Sequence, residues 1–335
     1  MGKNSKCVMY SIYIDGSESN NFDGEDSYLR YYAALYYSLK TLMQVKSDDV
    51  DVVVFYSSKN FDFKNYNYLN KFNLFKDFPS VHFIQFNYPS YVNNVYLHKW
   101  LALEKISNEF DYEKILYVDN DVFFLLNFDE VFHKYKNVNA IYGLFEGHVE
   151  HTEKLLGRPG MSSGQFFFHK NALQKIDNLF SKVLTAYDFL VRKNKYFFGE
   201  DKPRHNFIFN LLEQYAGSKV FFDEGTELLS FSNRDISYGK EKSFRVKIYG
   251  QETSIVKSQS KMIHVVSGNL FFVLPSELRN YHLQKLYDRY IDSENNVVKS
   301  DLSENQKMFF NENIGASHYY SFTYQNEKIK MVKYV

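Results

Sequence analysis

Lys114-Ile115-Leu116-Tyr117-Val118-Asp119-Asn120-Asp121-Val122-Phe123-Phe124-Leu125 is the stretch on which the fold of this chain turns. Its apolar opening predicts a buried strand that ends at Asp119, and apolar sequence resumes at Val122. In an extended segment successive side chains point to opposite faces, which puts Asp119 and Asp121 on one face. Two like charges at the mouth of a buried strand resist desolvation unless a cation lies between them. A hard divalent ion with oxygen ligands, Mn2+ or Mg2+, suits that role, and such ions bind phosphates. The run therefore predicts a site for a metal-bound phosphorylated substrate. The plain alternative is a strand end with two solvated carboxylates. Against it, Asp is disfavoured in strands, and apolar sequence on both sides leaves little room for a simple turn.

Working outward, Cys7 to Ile14 predicts a first buried strand and Leu29 to Met43 a helix. Asp51 to Tyr56 and Val81 to Phe86 predict two more strands. Leu97 to Phe110 predicts a helix with Trp100, Leu101, Leu103 and Ile106 on one stripe. Downstream, Ala140 to Leu144 and Gln165 to His169 predict strands, and Ala172 to Val191 and Asn206 to Tyr215 predict helices. Val220 to Phe222 predicts a strand, Ser243 to Ile255 a hairpin around Gly250, and Lys261 to Val266 a last buried strand. This alternation predicts an α/β fold with a mixed, mostly parallel central sheet flanked by helices. Ligands in such sheets bind at the carboxyl ends of strands near a topological switch point, where Asp119 would lie. Residues 1–275 form the expected domain. Residues 276–335 form a C-terminal appendage: a helix to Ile291, a polar segment to Ser317, and a hairpin within Tyr319 to Tyr334.

Composition narrows the classes of partner. Of the 335 residues, Lys+Arg and Asp+Glu number 40 each, and zero net charge argues against a dominant nucleic-acid surface. The 29 Tyr and 33 Phe, beside a single Trp and abundant Asn and Lys, match the bias of an AT-rich coding sequence and need no ligand-stacking role. Cys7 is the sole cysteine, so no internal disulfide forms and a reducing, cytoplasmic compartment is expected. No signal peptide or bilayer-spanning run is legible, and Lys6 breaks the myristoylation pattern that Gly2 would begin. The loop Glu146 to Pro159 and the tail after Pro275 are expected to shape the acceptor site, with homodimerisation and peripheral membrane contact as further roles open to the tail.

The ordered set of motifs resembles the GT-A glycosyltransferases, most closely the glycogenin and galactosyltransferase-like family (glycosyltransferase family 8), over roughly residues 6 to 272. Strand-Asp119-Asn120-Asp121 is similar to that family's metal and nucleotide-sugar motif. Lys99, in His98-Lys99-Trp100, resembles a basic residue near the sugar-phosphate, and Ser163-Gly164-Gln165 resembles an Asn-Ser-Gly strand with Ser162 in place of Asn. Glu200-Asp201, with Asn206, resembles an acidic segment facing the donor sugar, and His264 before Gly268 resembles a third metal ligand. The resemblance implies a Mn2+-dependent transferase (or Mg2+-dependent) that moves a sugar from a UDP-linked donor to a glycan or glycoprotein acceptor, with retention. It implies Asp119, Asp121 and His264 as metal ligands, Asp201, Glu200 and Lys99 as catalytic groups, and Tyr13, Asp15, Asn120, Ser163, Gly164 and Gly268 as donor-binding positions.

The chain departs from the family pattern near its end. His264-Val265-Val266-Ser267-Gly268 has one residue more than His-x-x-Gly, and no Lys-Pro-Trp follows, so the diphosphate contact of that Lys is unplaced, with Lys261 or a C-terminal basic residue as candidate substitutes that nothing in the sequence singles out. Bland readings stand beside each candidate: a core histidine for His264, a helix N-terminal acidic pair for Glu200 and Asp201, and a snorkelling lysine for Lys99. Two rival functions share the motif. A phosphatase of the haloacid dehalogenase type would use Asp119 as nucleophile and Asp121 as general acid, but expects Thr or Val where Phe123 stands. The other rival is a non-catalytic scaffold that binds nucleotide sugar or glycan.

Overall fold

The computed structural model describes residues 4–15, 27–67, 71–87, 98–124, 126–146, 160–172, 182, 185, 219–223, 244–248, 251–255, 262–264, 291–292, 297–298, 320–323 and 328–331. β1 (Lys6–Asp15) leads through α1 (Ser27–Val45) to β2 (Val50–Lys59), and the two strands pair in parallel from Lys6 opposite Val50 to Asp15 opposite Lys59. The short helix α2 (Leu74–Asp77) is capped by Asn73, whose side chain accepts from Lys76 N at 2.9 Å, and β3 (His82–Gln85) then joins β2 in parallel. The chain returns through α3 (His98–Glu109) to β4 (Lys114–Val118), which pairs with the other side of β1.

β5 (Val122–Phe124) leaves the main sheet, and the turn α4 (Val131–Lys134) follows. β6 (Ala140–Glu146), β7 (Gly160–His169) and β8 (Lys219–Asp223) complete a sheet that, among the described residues, has seven strands in the order β3-β2-β1-β4-β7-β6-β8. β7 is antiparallel to both its neighbours, and the other pairs are parallel. This is the mixed, mostly parallel Rossmann-like sheet expected. Successive crossovers run outward from β1 to β3 and then back to β4, so the carboxyl ends of β1 and β4 meet at the switch point.

Period-2 alternation divides the sheet into two faces. Val8, Tyr10, Ile12 and Ile14 of β1, Val52 and Val54 of β2, and Leu116 and Val118 of β4 join Leu35, Leu39 and Leu42 of α1 in one buried cluster. Ile115 and Tyr117 therefore face the opposite side, where buried Trp100 of α3 stacks on Phe166 of β7, ring centroids 5.4 Å apart.

β9 (Phe244–Ile248) and β10 (Gln251–Ile255) form the expected antiparallel hairpin. β11 (Met262–His264) pairs antiparallel with β5, with His264 opposite Val122. Side chains of α1 serve the backbone of β5: the Ser38 hydroxyl donates to Val122 O, and Phe124 N donates to Thr41 Oγ1 at 3.1 Å. Tyr10 of β1 bonds Ser38 Oγ at 2.9 Å, so hydroxyls tie β5 to both α1 and the sheet. Buried backbone groups must find such partners, and a three-residue strand outside the main sheet supplies few of its own.

In the C-terminal part, β12 (Ile291–Asp292) pairs with β13 (Val297–Val298), and β14 (Tyr320–Thr323) with β15 (Lys328–Met331), which is the expected terminal hairpin. The helix expected to close at Ile291 does not include that residue, which is β-branched and begins β12. The remainder of that helix and the helix over 206–215 lie outside the described residues. At the start of the helix expected over 172–191, Ala172 closes a 3-10 turn, Lys170–Ala172, while Lys182 and Thr185 are helical.

Ser38→Ala leaves Val122 O without the Ser38 donor in a buried setting, and should lower unfolding stability by about 1–3 kcal/mol; urea denaturation checks it. Burial also raises the pKa of Tyr32 to about 12 and raises those of Tyr10, Tyr36, Tyr56 and Tyr112. A tyrosine raised on folding contributes stability that is complete below its unfolded pKa of about 10 and lost as pH rises through the folded value. Cys7, which burial also raises, has an unfolded pKa of about 8.5, so denaturation midpoints should hold up to about pH 8.5 and then fall steadily towards pH 12.

Candidate functional site

β4 stops at Val118, and the chain reverses at once. Val122 N donates to Asp119 O at 3.2 Å, closing a tight turn over Asp119-Asn120-Asp121-Val122. The expectation that Asp119 and Asp121 share one face of an extended segment is thus corrected. Asp and Asn favour turns over strands, and the apolar sequence that resumes at Val122 belongs to a separate strand. Both carboxylates remain at the carboxyl end of β4, partly exposed. Asn120 Oδ1 is buried and has no hydrogen-bond partner among the described residues.

Asp119 is held from several sides. Its N–H donates to Gly164 O at 2.7 Å, which ties the turn to β7 just beyond the Val118–Gln165 pair. Lys99 Nζ, from the first turn of α3, lies 2.9 Å from Asp119 Oδ1 and 3.3 Å from Oδ2. The Tyr117 hydroxyl donates to Asp119 Oδ1 at 2.6 Å. Residues 117 and 119 are two apart along β4 and its end, so alternation sends both to the α3 face. The Lys99 ammonium also lies 5.2 Å from the centroid of the Tyr117 ring, which stacks on Phe166 at 5.0 Å. Period-2 spacing alone could have flagged Tyr117, which the reading of the sequence passed over as core.

The other candidates divide by location. Tyr13 is partly buried near the end of β1 and meets the ring of His98 edge-on at 5.0 Å. The backbone of Asp15 ends β1, and Ser163 and Gly164 lie in β7 beside the turn. The backbone of His264 stands opposite Val122, one residue from Asp121. β1, β4, β7, β11 and α3 thus bring Tyr13, Asp15, Lys99, Asp119, Asn120, Asp121, Ser163, Gly164 and His264 to one end of the sheet. Glu200, Asp201 and Gly268 lie outside the described residues. Among the described residues, no group of three or more His, Cys, Asp and Glu side chains is disposed to hold a metal ion. No helix among them is long and apolar enough to cross a membrane.

No protein-family model matches the sequence, and no curated protein matches it. Solved structures to which the chain is similar include glycosyltransferases. The galactosyltransferase LgtC, in complex with donor and acceptor sugar analogues, has a TM-score of 0.48 at 13% identity, over 78% of this chain and 87% of that one. Mouse xyloside xylosyltransferase 1 has a TM-score of 0.48 at 12% identity, over 77% of this chain and 97% of that one. WbbM, a bifunctional glycosyltransferase, has a TM-score of 0.44 at 15% identity, over 68% of this chain and 40% of that one. The fold stands on the strand order and register described above rather than on these scores.

Tyr117→Phe keeps the ring stack and removes the bond to Asp119. It should cost about 1–2 kcal/mol, towards the low end for a bond to a partly exposed charged group. Chemical denaturation should show a lower midpoint at an unchanged slope.

Proposed function

We propose that this chain is a metal-dependent glycosyltransferase that moves a sugar from a nucleotide-linked donor, a UDP-sugar, to a glycan or glycoprotein acceptor. One observation carries the reading: the Asp119–Val122 turn lies at the carboxyl end of a central strand, at the switch point of the sheet, with the backbone of His264 brought alongside by β11. α/β sheets bind ligands at that place, and two carboxylates suit a hard divalent ion with a diphosphate. Asn120 Oδ1, buried and without a hydrogen-bond partner among the described residues, adds an oxygen acceptor to the turn.

In this reading Asp119, Asp121 and His264 would hold Mn2+, as the family resemblance implies, and Asp119 would also serve the ribose. When bound, the ion supplies Lewis-acid stabilisation of the charge that builds on the departing diphosphate. The protein's own part is to orient and to exclude water. Lys99 and Tyr117 fix the Asp119 carboxylate, while Tyr13 and Asp15 at the end of β1 border the nucleoside side. Gly164, beside Ser163, allows close approach of the backbone to the sugar, and Gly268 is a further donor-binding position. Asp201, with Glu200 beside it, positions the donor sugar or stabilises an oxocarbenium-like state, consistent with retention. Residues 1–275 form the catalytic domain, and the appendage 276–335, with the segment 146–159, shapes the acceptor side. Loops of this sort set specificity.

The test is a panel of UDP- and GDP-sugars incubated with Mn2+ and the full chain, with free nucleotide as readout. Slow donor hydrolysis by wild type and its loss in a folded Asp121→Ala variant are expected. Release of inorganic phosphate from simple phosphomonoesters, with no nucleotide release, would establish the phosphatase instead.

A further inference from the structure

Val122, the residue that follows the two carboxylates, is held from three directions. Its N–H closes the turn on Asp119 O at 3.2 Å, its carbonyl accepts from the Ser38 hydroxyl of α1, and it stands opposite His264 in the pairing of β5 with β11. Peptide groups are planar, so fixing the N–H and the C=O of one residue fixes the two successive peptide units that meet at its Cα. One of those units carries Asp121, and the other begins the strand that brings the backbone of His264 alongside.

Ser38 is itself locked in place. It has no exposed surface, nor do Tyr10 and Val122. A serine hydroxyl has one hydrogen, and here that hydrogen goes to Val122 O. The 2.9 Å bond between the Tyr10 and Ser38 hydroxyls therefore has Tyr10 as its donor, and a one-way chain runs from Tyr10 of β1 through Ser38 to β5. Thr41, on the same face of α1, donates to Ser38 O at 2.8 Å and accepts from Phe124 N at 3.1 Å. The two hydroxyls thus meet β5 at its two ends, and Ser38 is the one that grips the residue joined to Asp121. A three-residue strand paired with another of three has little ladder to set its register, and a slip of one residue would take His264 away from Val122 and exchange the faces of β5.

We propose that Ser38 is a positioning residue of the site, which acts through Val122 to fix the spacing between the Asp121 and His264 backbones on which nucleotide binding depends. The proposal rests on the donor-site reading above. Ser38 reaches the turn from behind, out of a fully buried position, so its effect on a ligand passes through the Val122 peptide.

The experiment is calorimetric titration of UDP and of GDP into the full chain in the presence of Mn2+, for wild type, Ser38→Ala and Thr41→Val. Each variant removes a buried hydroxyl and one backbone partner of β5, and urea denaturation establishes that both are folded and how much stability each has lost. If Ser38→Ala does not fold, Ser38→Cys replaces it, since a thiol is a weak donor. Ser38→Ala should bind nucleotide at least about tenfold more weakly than wild type, the loss typical of a residue that orients a ligand-binding group, while Thr41→Val stays within about threefold. A folded Ser38→Ala that binds nucleotide as wild type does overturns the proposal while leaving the donor site standing. Equal weakening in Thr41→Val and Ser38→Ala also overturns it, because the effect would then be a general loosening of β5. Wild type that binds neither UDP nor GDP removes the donor-site reading and the proposal together.

Discussion

A carboxylate at the end of a buried strand has to be compensated, and here Lys99 compensates Asp119 at 2.9 Å. Much of the local architecture follows from that pairing. For the ammonium to reach the turn, α3 must begin beside the carboxyl end of β4, and the buried Trp100 anchors that placement by stacking on Phe166 of β7. For the carboxylate to face the ammonium, Asp119 must keep the orientation that strand alternation gives Tyr117, whose hydroxyl reaches the same oxygen. A buried charge without its partner costs far more than the pair contributes, which is why packing, ring stacking and hydrogen bonding converge on one short turn.

The second constraint lies beyond the turn. After Asp121 the chain cannot continue in the main sheet, because β7 already occupies the edge of β4 that β1 leaves open. The apolar residues Val122 to Phe124 instead form a strand lodged between the core face and β11. Ser38 and Thr41 of α1 meet its backbone groups, and Tyr10 braces Ser38 from the sheet. This arrangement delivers residue 264 from far along the sequence to the side of Asp121. The third candidate ligand therefore reaches the turn by strand pairing rather than by proximity in sequence.

The sheet was largely legible in the sequence because its strands are apolar runs of strong β propensity separated by helical periodicity. β1, β2, β4, β6 and the 244–255 hairpin lie where pattern places them, within a few residues at their ends, whereas β7 begins at Gly160, five residues before the expected Gln165. The Asp119–Val122 turn was not, because apolar residues flank it on both sides and periodicity cannot separate one strand from two joined by a reversal. Ser38 and Thr41 were missed because their hydroxyls sit on residues that otherwise read as helix, and only the packing of α1 on β5 gives those atoms partners, whereas Tyr117 was passed over although its spacing from Asp119 was legible. Lys99 was found through a motif resemblance, yet its contact with the carboxylate itself follows from the placement of α3.

The central claim is that the Asp119–Asp121 turn and His264 together receive a divalent ion and a nucleoside diphosphate. The most direct measurement is a crystal structure of the full chain grown with UDP and Mn2+, with the ion located by its anomalous scattering. The account predicts a single strong peak within coordination distance of an Asp121 carboxylate oxygen, a His264 ring nitrogen and the diphosphate, with Lys99 still paired to Asp119. A peak remote from this turn, or UDP bound with His264 directed away from it, would contradict the account.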